Sequence, residues 1–315
     1  MSDLISAEQL RSLIAKRQPL RDLLLSGGDY RGIDLSHCRF ERVDARGACF
    51  DDARLGNTVW DACRLEGASF ARASAIGMKL SDCALDRTSF VGSQFNSGHW
   101  LRCAGDTLDF TGARIQAVSM VQTRLRAPRL ANATLAQCQW SDCSLEDLDG
   151  SSAHWQEMRL TGCQLASARL LRATLEQCAF DESTLTDADF SGATAISISL
   201  YRCKAQRLNC TDARLDKGIF SEALLSDAQF SGARLEMANF SGADLSRARF
   251  NGAVLEYALL RKTNAGQATF NSARLLGADF HAAQLEGCDW SNANHDQIRP
   301  QDEDRLAAER WQATV

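Results

Sequence analysis

The chain has 315 residues, 45% of them hydrophobic and 24% charged, with a formal net charge of -5. That balance excludes the basic stripe of a nucleic-acid surface and the dense acidity of a nucleic-acid mimic, and no apolar run reaches the ~18 to 20 residues of a membrane span. Twelve cysteines invite a disulfide or metal framework, which only their positions can support or refuse.

Residues 1–29 read as an N-terminal helical cap and leader. The first residues lack the charged, apolar, then small-residue order of a signal peptide, so the expected compartment is the cytoplasm. SAEQLRSLIAKR, residues 6–17, reads as a short helix: Ser6 can cap it with Gln9 three residues on, and Leu10, Leu13 and Ile14 share one face. Pro19 is expected to stop it. Its expected role is to cover the apolar end of the long patterned body that begins at Tyr30; docking a partner on its apolar face is the alternative.

From Tyr30 to Trp290 a period of five runs without a slip. It is clearest in GARLEMANFSGADLSRARFNGAVLEYA, residues 232–258, where Leu235, Phe240, Leu245, Phe250 and Leu255 recur with an alanine two residues before each. Five is neither the 3.6 of a helix nor the 2 of a strand, and fixed self-similarity marks a repeat architecture. A second period lies on top of the first. Centres numbered in tens are mostly aromatic, such as Phe50, Phe110, Phe190 and Phe270, whereas those in fives are mostly leucine, with only Phe95 and Trp155 as rings.

This pattern resembles the pentapeptide-repeat family, whose loose consensus is A-(D/N)-L-x-x. The resemblance implies an all-β solenoid, a right-handed quadrilateral β-helix in which five residues make one side of a square and four sides close a coil. Residues 30–294 would then form about 13 coils, stacked at roughly 4.8 Å into a rod of roughly 60 Å, with Phe230, Leu235, Phe240, Leu245, Phe250 and Leu255 among its core. Small centres are compensated by larger inward neighbours: Ala45 with Val43, Gly105 with Leu108, Gly150 with Leu148, Ala205 with Leu208. Gly105 and Gly150 are where the sides are expected to distort.

Most cysteines, including Cys38, Cys63, Cys83, Cys103, Cys138, Cys143, Cys163, Cys178, Cys203 and Cys288, occupy the small inward position; Cys210 is a centre and Cys49 faces outward. Free cysteine is among the most buried residue types, and no pair of closely spaced cysteine pairs suits zinc. They read as core filler in a reducing compartment, with no metal and no cofactor. Residues 295–315 read as a C-terminal helical cap, with Leu306, Arg310 and Trp311 towards the body. The resemblance adds a homodimer contact through this end.

Catalytic residues are not expected. His37, His99, His154, His281 and His295 are scattered over outward positions, and the recurrent Ser, Asp and Gly belong to the turns. Function is therefore expected on the surface. Leu101, Val121 and Tyr201 are apolar or aromatic at outward positions twenty or a multiple of twenty apart, with Arg102 and Arg202 beside two of them, a composition typical of interface anchors. Arg114, Arg124, Arg126 and Arg129 suggest a basic strip; Asp142, Glu146, Asp147 and Asp149, with Asp181, Glu182, Asp187 and Asp189, suggest an acidic zone.

The leader LIAKRQPLRDLLLSGGDYRGIDLSHCRF resembles those of pentapeptide-repeat proteins that accompany bacterial type VI secretion clusters. That resemblance implies a non-catalytic protein-binding rod that neutralises a toxin as its immunity protein, or escorts an effector. It implies a protein partner, with no direct nucleic-acid or membrane contact. The alternative is the DNA-mimicking branch that protects a type II topoisomerase, against which the near-neutral repeat body weighs.

Overall fold

The computed structural model describes residues 4–294, 298–299 and 301–310. The chain divides into two compact units, Met1–Leu170 and Leu171–Val315, and each is a parallel β-solenoid with a repeat of twenty residues per coil.

The first unit opens with α1 (Ala7–Ala15), whose capping box is closed by Ser6 and Gln9. The helix ends two residues short of the sequence expectation. Arg17 turns left-handed at φ 51°, and the N–H groups of Arg17 and Gln18 bond to the carbonyls of Ile14 and Leu13 at 2.9 and 3.0 Å. The stop is therefore made before Pro19 is reached. Leu10 is fully buried. The segment before α1 also joins the first coil, through Ile5 N–H to the Leu24 carbonyl at 2.9 Å and Tyr30 Oη donating to the Ile5 carbonyl.

Parallel pairing then advances twenty residues per step. Phe40 lies beside Trp60, Trp60 beside Leu80, Leu80 beside Trp100, Trp100 beside Met120, Met120 beside Trp140, and Trp140 beside Leu160. Leu20–Arg21 already pairs with Phe40–Glu41. A second sheet stacks Ser74–Ile76, Gln94–Asn96, Arg114–Gln116, Thr134–Ala136 and His154–Gln156 in the same way.

The sides of a coil end in corners of two kinds. At many the carbonyl of a centre accepts the N–H three residues on, as in Ala53 to Phe50 at 3.1 Å; centres in the paired strands, such as Phe40, Trp60 and Leu80, make no such bond. In both kinds the corner residue donates onward to the next coil, as in Asp52 to Ala71 at 2.8 Å and Arg42 to Asp61 at 2.9 Å, and the residue two after the centre is left-handed throughout. Glycine takes that conformation freely, as at Gly232, Gly242 and Gly252; at other corners residues as varied as Asp52, Arg72, Ala62, Gln137, Met237 and Tyr257 bear the steric penalty. The corner strain is offset by the backbone hydrogen bonds that each corner residue makes to the next coil.

Inside, aromatic rings stack at the strand spacing. In the first unit Tyr30, Phe50, Phe70, Phe90 and Phe110 follow one another at 5.0–5.2 Å. In the second, Phe230, Phe250, Phe270 and Trp290 do so at 4.5–5.1 Å. Leu235, Phe240, Leu245 and Leu255 are fully buried with them. Where the first ladder passes from Phe110 to Leu130, a cavity of about 20 Å³ remains, bordered also by Trp100, Met120 and Trp140.

The expected distortions are absent. Gly105 sits in a regular strand, Ala104–Asp106, paired with Arg124–Arg126, because Leu108 fills the vacated space: a Cβ on Gly105 would lie 2.7 Å from Leu108 Cδ1. Gly150 keeps its bond to the Arg169 carbonyl at 2.8 Å, with Leu170 and Leu148 closing over it.

The second unit ends in α2 (Glu303–Arg310), where Leu306 is buried as expected. The Arg310 side chain, Trp311, Pro300 and His295 lie outside the described residues. His281, expected outward, is instead 4% exposed. The chain at Arg299 pairs alongside Asp279, and Asp279 is itself ion-paired with Arg261 at 2.6 Å, so this side of the coil is covered.

Candidate partner-binding surfaces

The residues singled out in the sequence fall into two groups, one in each unit. In the first, Leu101 and Val121 end the strands His99–Leu101 and Ser119–Val121 and are direct register partners. Both are half-buried, flanked along the ladder by Ser81 and Ser141. Arg102 occupies the next corner. Its Nε and Nη2 donate to both oxygens of Asp82 at 2.8 and 2.7 Å, and this guanidinium holds the Asp82 carboxyl below the usual carboxylate range. A shallow groove of about 370 Å³ runs beside Arg102, Gln122, Arg124 and Asp142. Half-buried apolar side chains thus adjoin a charged trough.

In the second unit Tyr201 and Arg202 form a compact cluster. The Arg202 guanidinium lies over the Tyr201 ring, 4.8 Å from its centroid, and its Nε donates to Glu222 Oε2 at 2.7 Å. The Tyr201 backbone N–H donates to Asp181 Oδ1 at 3.2 Å. A ring whose backbone and stacked cation are both fixed presents a rigid aromatic surface at little further entropic cost.

The other two charged features are rearranged. Arg124 and Arg126 share one strand, but Arg114 lies in a different sheet, so the four arginines make no single strip. Arg129 is 3.5 Å from Asp109 and Arg126 is 3.9 Å from Asp147. Most acids of the expected acidic zone are occupied by the ladder itself. Asp187 receives both Arg207 Nε and Nη2 at 2.6 Å, Asp189 receives Asn209 Nδ2 at 3.0 Å, and Asp149 receives Ser151 Oγ at 2.6 Å.

One surface feature escaped the sequence reading. Met237 and Tyr257, at successive corners twenty residues apart, are 53% and 45% exposed. The Tyr257 ring lies against Gly277, where a Cβ would come within 2.6 Å of it. Their twenty-residue spacing is the signal that could have found them. Among the described residues no group of three or more His, Cys, Asp or Glu side chains could hold a metal ion, and no helix is long and apolar enough to cross a membrane.

Two family models match. One, described as a pentapeptide repeat region, covers residues 133–210; the other, described as pentapeptide repeats in eight copies, covers residues 20–57, 209–247 and 248–283. A search of curated proteins finds no match. Among solved structures, HetL, a pentapeptide-repeat protein involved in heterocyst differentiation regulation from the cyanobacterium Nostoc sp. Strain PCC 7120, is 20% identical, with 93% of this chain and 96% of that one covered and a TM-score of 0.27. QnrB1, a plasmid-mediated fluoroquinolone resistance protein, is 20% identical over 62% of this chain and 96% of its own, with a TM-score of 0.35. Rfr23, a pentapeptide-repeat protein from the cyanobacterium Cyanothece 51142, is 22% identical over 36% of this chain and 66% of its own, with a TM-score of 0.26. The matched repeats, the five-residue register and the parallel twenty-residue ladder agree: this chain belongs to the pentapeptide-repeat family.

Proposed function

We propose that the protein is a non-catalytic, protein-binding scaffold that binds and neutralises a bacterial toxin or escorts a type VI secretion effector. The observation that supports binding is the set of outward apolar and aromatic side chains, Leu101, Val121 and Tyr201, above a core filled with rings and leucines. The leader resemblance supports the kind of partner. Arg102 braces the candidate surface of the first unit and Arg202 that of the second, since each is bound to a carboxylate of an adjoining coil.

The test is capture of the partner that co-purifies from the native bacterium. Leu101→Asp combined with Tyr201→Asp keeps the melting profile of the parent and loses most of the captured partner in a pull-down. Undiminished capture removes both candidate surfaces. The DNA-mimicking alternative needs a continuous acidic face, and many of the acids here are neutralised by arginines of adjacent coils.

Pairing of two copies through the C-terminal end is part of the proposal. Leu285 and Trp290, centres of the last full coil, are only half-buried, which supports an apolar contact there. Light scattering on the eluting protein is expected to report a dimer, and a Trp290→Asp variant a monomer. A monomeric parent rules the pairing out.

A further inference from the structure

A groove of about 560 Å³ opens in the first unit between the end of α1 and the first coils, within the roughly 300–1,000 Å³ range of ligand clefts. Ile14, Leu20 and Cys38 form its apolar part; Leu20 is 5% exposed and Cys38 9%. Burial pushes the Cys38 thiol pKa up, so the thiol stays neutral. Around them stand Arg17, Arg21 and Arg39.

Each guanidinium is positioned by backbone already described. Arg17 is the left-handed residue that ends α1, and Arg21 and Arg39 stand on the paired strands Leu20–Arg21 and Arg39–Glu41. Among the described residues the only carboxylate lining the groove is that of Glu41. It is engaged by Arg39 at 2.6 Å and lies 3.9 Å from Arg21; Arg39 also reaches Asp61, outside the lining, at 3.3 Å, and Arg17 makes no ion pair among the described residues. The last carbonyls of α1 accept hydrogen bonds from Lys16, Arg17 and Gln18, which blunts the negative pole of the helix. On a chain of net charge -5, three guanidiniums against the two carboxylates of Glu41 and Asp61 still leave the groove locally positive.

We propose that this groove docks an acidic peptide segment of a partner protein, anchored by one leucine-sized side chain. The carboxylates of the segment meet Arg17, Arg21 and Arg39, whose planar forks suit bidentate carboxylate recognition, and the anchor rests on Ile14, Leu20 and Cys38. The site stands on its own geometry and does not depend on the effector reading or on the Leu101 surface.

The experiment is fluorescence anisotropy of the full chain with a fluorescein-labelled peptide EELLEELEE, and with KKLLKKLKK as its charge-reversed control. The acidic peptide binds, the basic one does not, and affinity falls as salt rises. Replacing the three arginines together by glutamine weakens binding about tenfold or more, a loss of about 1.4 kcal/mol or more, while replacing them by lysine retains more than half of the binding energy. Ile14→Ser weakens binding with the charge unchanged. Thermal melts of each variant confirm the fold. Absence of binding to EELLEELEE, equal binding of the two peptides, or undiminished affinity in the glutamine variant overturns the proposal. So does wild-type protein that sediments with phosphatidylserine vesicles yet ignores the peptide.

Discussion

Alanine, threonine and cysteine share the inward position two residues before a centre because each is small enough to sit between stacked rings. Ala53, Thr58 and Cys63 are all buried there. The polar atoms find acceptors in the chain itself: Thr58 Oγ1 donates to the Leu55 carbonyl at 2.9 Å, and the Cys63 thiol to the Asp61 carbonyl at 3.3 Å. Burial pushes the Cys138 thiol up to about 11, and burial, with the nearby Asp181 and Glu182 carboxylates adding to it, pushes the Cys203 thiol up to about 12, so neither supplies thiolate at neutral pH. Only Cys49 and Cys288 are partly exposed; Cys288 belongs to the last full coil, which has no complete coil beyond it. Treatment of the native protein with an alkylating thiol reagent is therefore expected to label Cys49 and Cys288 first, then the groove-lining Cys38, and the other nine only on unfolding, as mass spectrometry of peptides would show. Rapid native labelling of Cys83 or Cys163 would refute the core-filler role.

At the scale of the repeating side, five residues suffice because a centre, its inward partner and a left-handed corner already satisfy the backbone within the coil and to the next. A small centre is tolerated when a neighbour supplies the missing volume. Gly105 tests that rule. A Cβ there would lie 2.7 Å from Leu108 Cδ1 and also 2.7 Å from the Leu85 carbonyl carbon, and backbone of an adjoining coil cannot move aside without disturbing the ladder. Gly105→Ala is expected to destabilise by about 1–3 kcal/mol, measured by chemical denaturation. Gly150→Ala costs less, since the nearest atom, 2.7 Å away, is the flexible tip of Leu170. Equal stabilities for parent and Gly105→Ala would show that the coils slide to accommodate volume.

At the scale of the molecule, the ladder pairs many of the surface charges across adjoining coils. Asp22 with Arg42, Asp52 with Arg72, and Asp82 with Arg102 repeat one bidentate pair across adjacent corners in the first unit. Asp187 with Arg207 and Asp227 with Arg247 do so in the second. The carboxyls are held below their usual range by the hydrogen bonds from these arginines. Exposed pairs of this kind add little stability; their effect here is to take these charges out of reach of a partner. Recognition then falls to the departures from the pattern, which is why the pull-down with altered Leu101 and Tyr201 and the peptide titration of the N-terminal groove probe separate surfaces. Loss in one with retention in the other identifies which surface holds the partner.

The fold was legible in the residues because a repeat states its own geometry many times over. Leu235, Phe240 and Leu245 announce the five-residue side, and Phe230, Phe250 and Phe270 announce the twenty-residue coil, since side chains that stack must be alike in size. Even the inward cysteines declare their burial by keeping register. The outward positions were legible only as a column of candidates, because sequence spacing tells which residues face out but not which partners they find there. Tertiary structure alone decided that Arg102 and Arg202 are bound to Asp82 and Glu222, that Arg114 stands apart from Arg124, that His281 is covered, and that Arg17, Arg21 and Arg39 surround one groove. Those outcomes depend on contacts between residues about twenty apart or on how the ends of the chain fold back, and no local rule of spacing contains them.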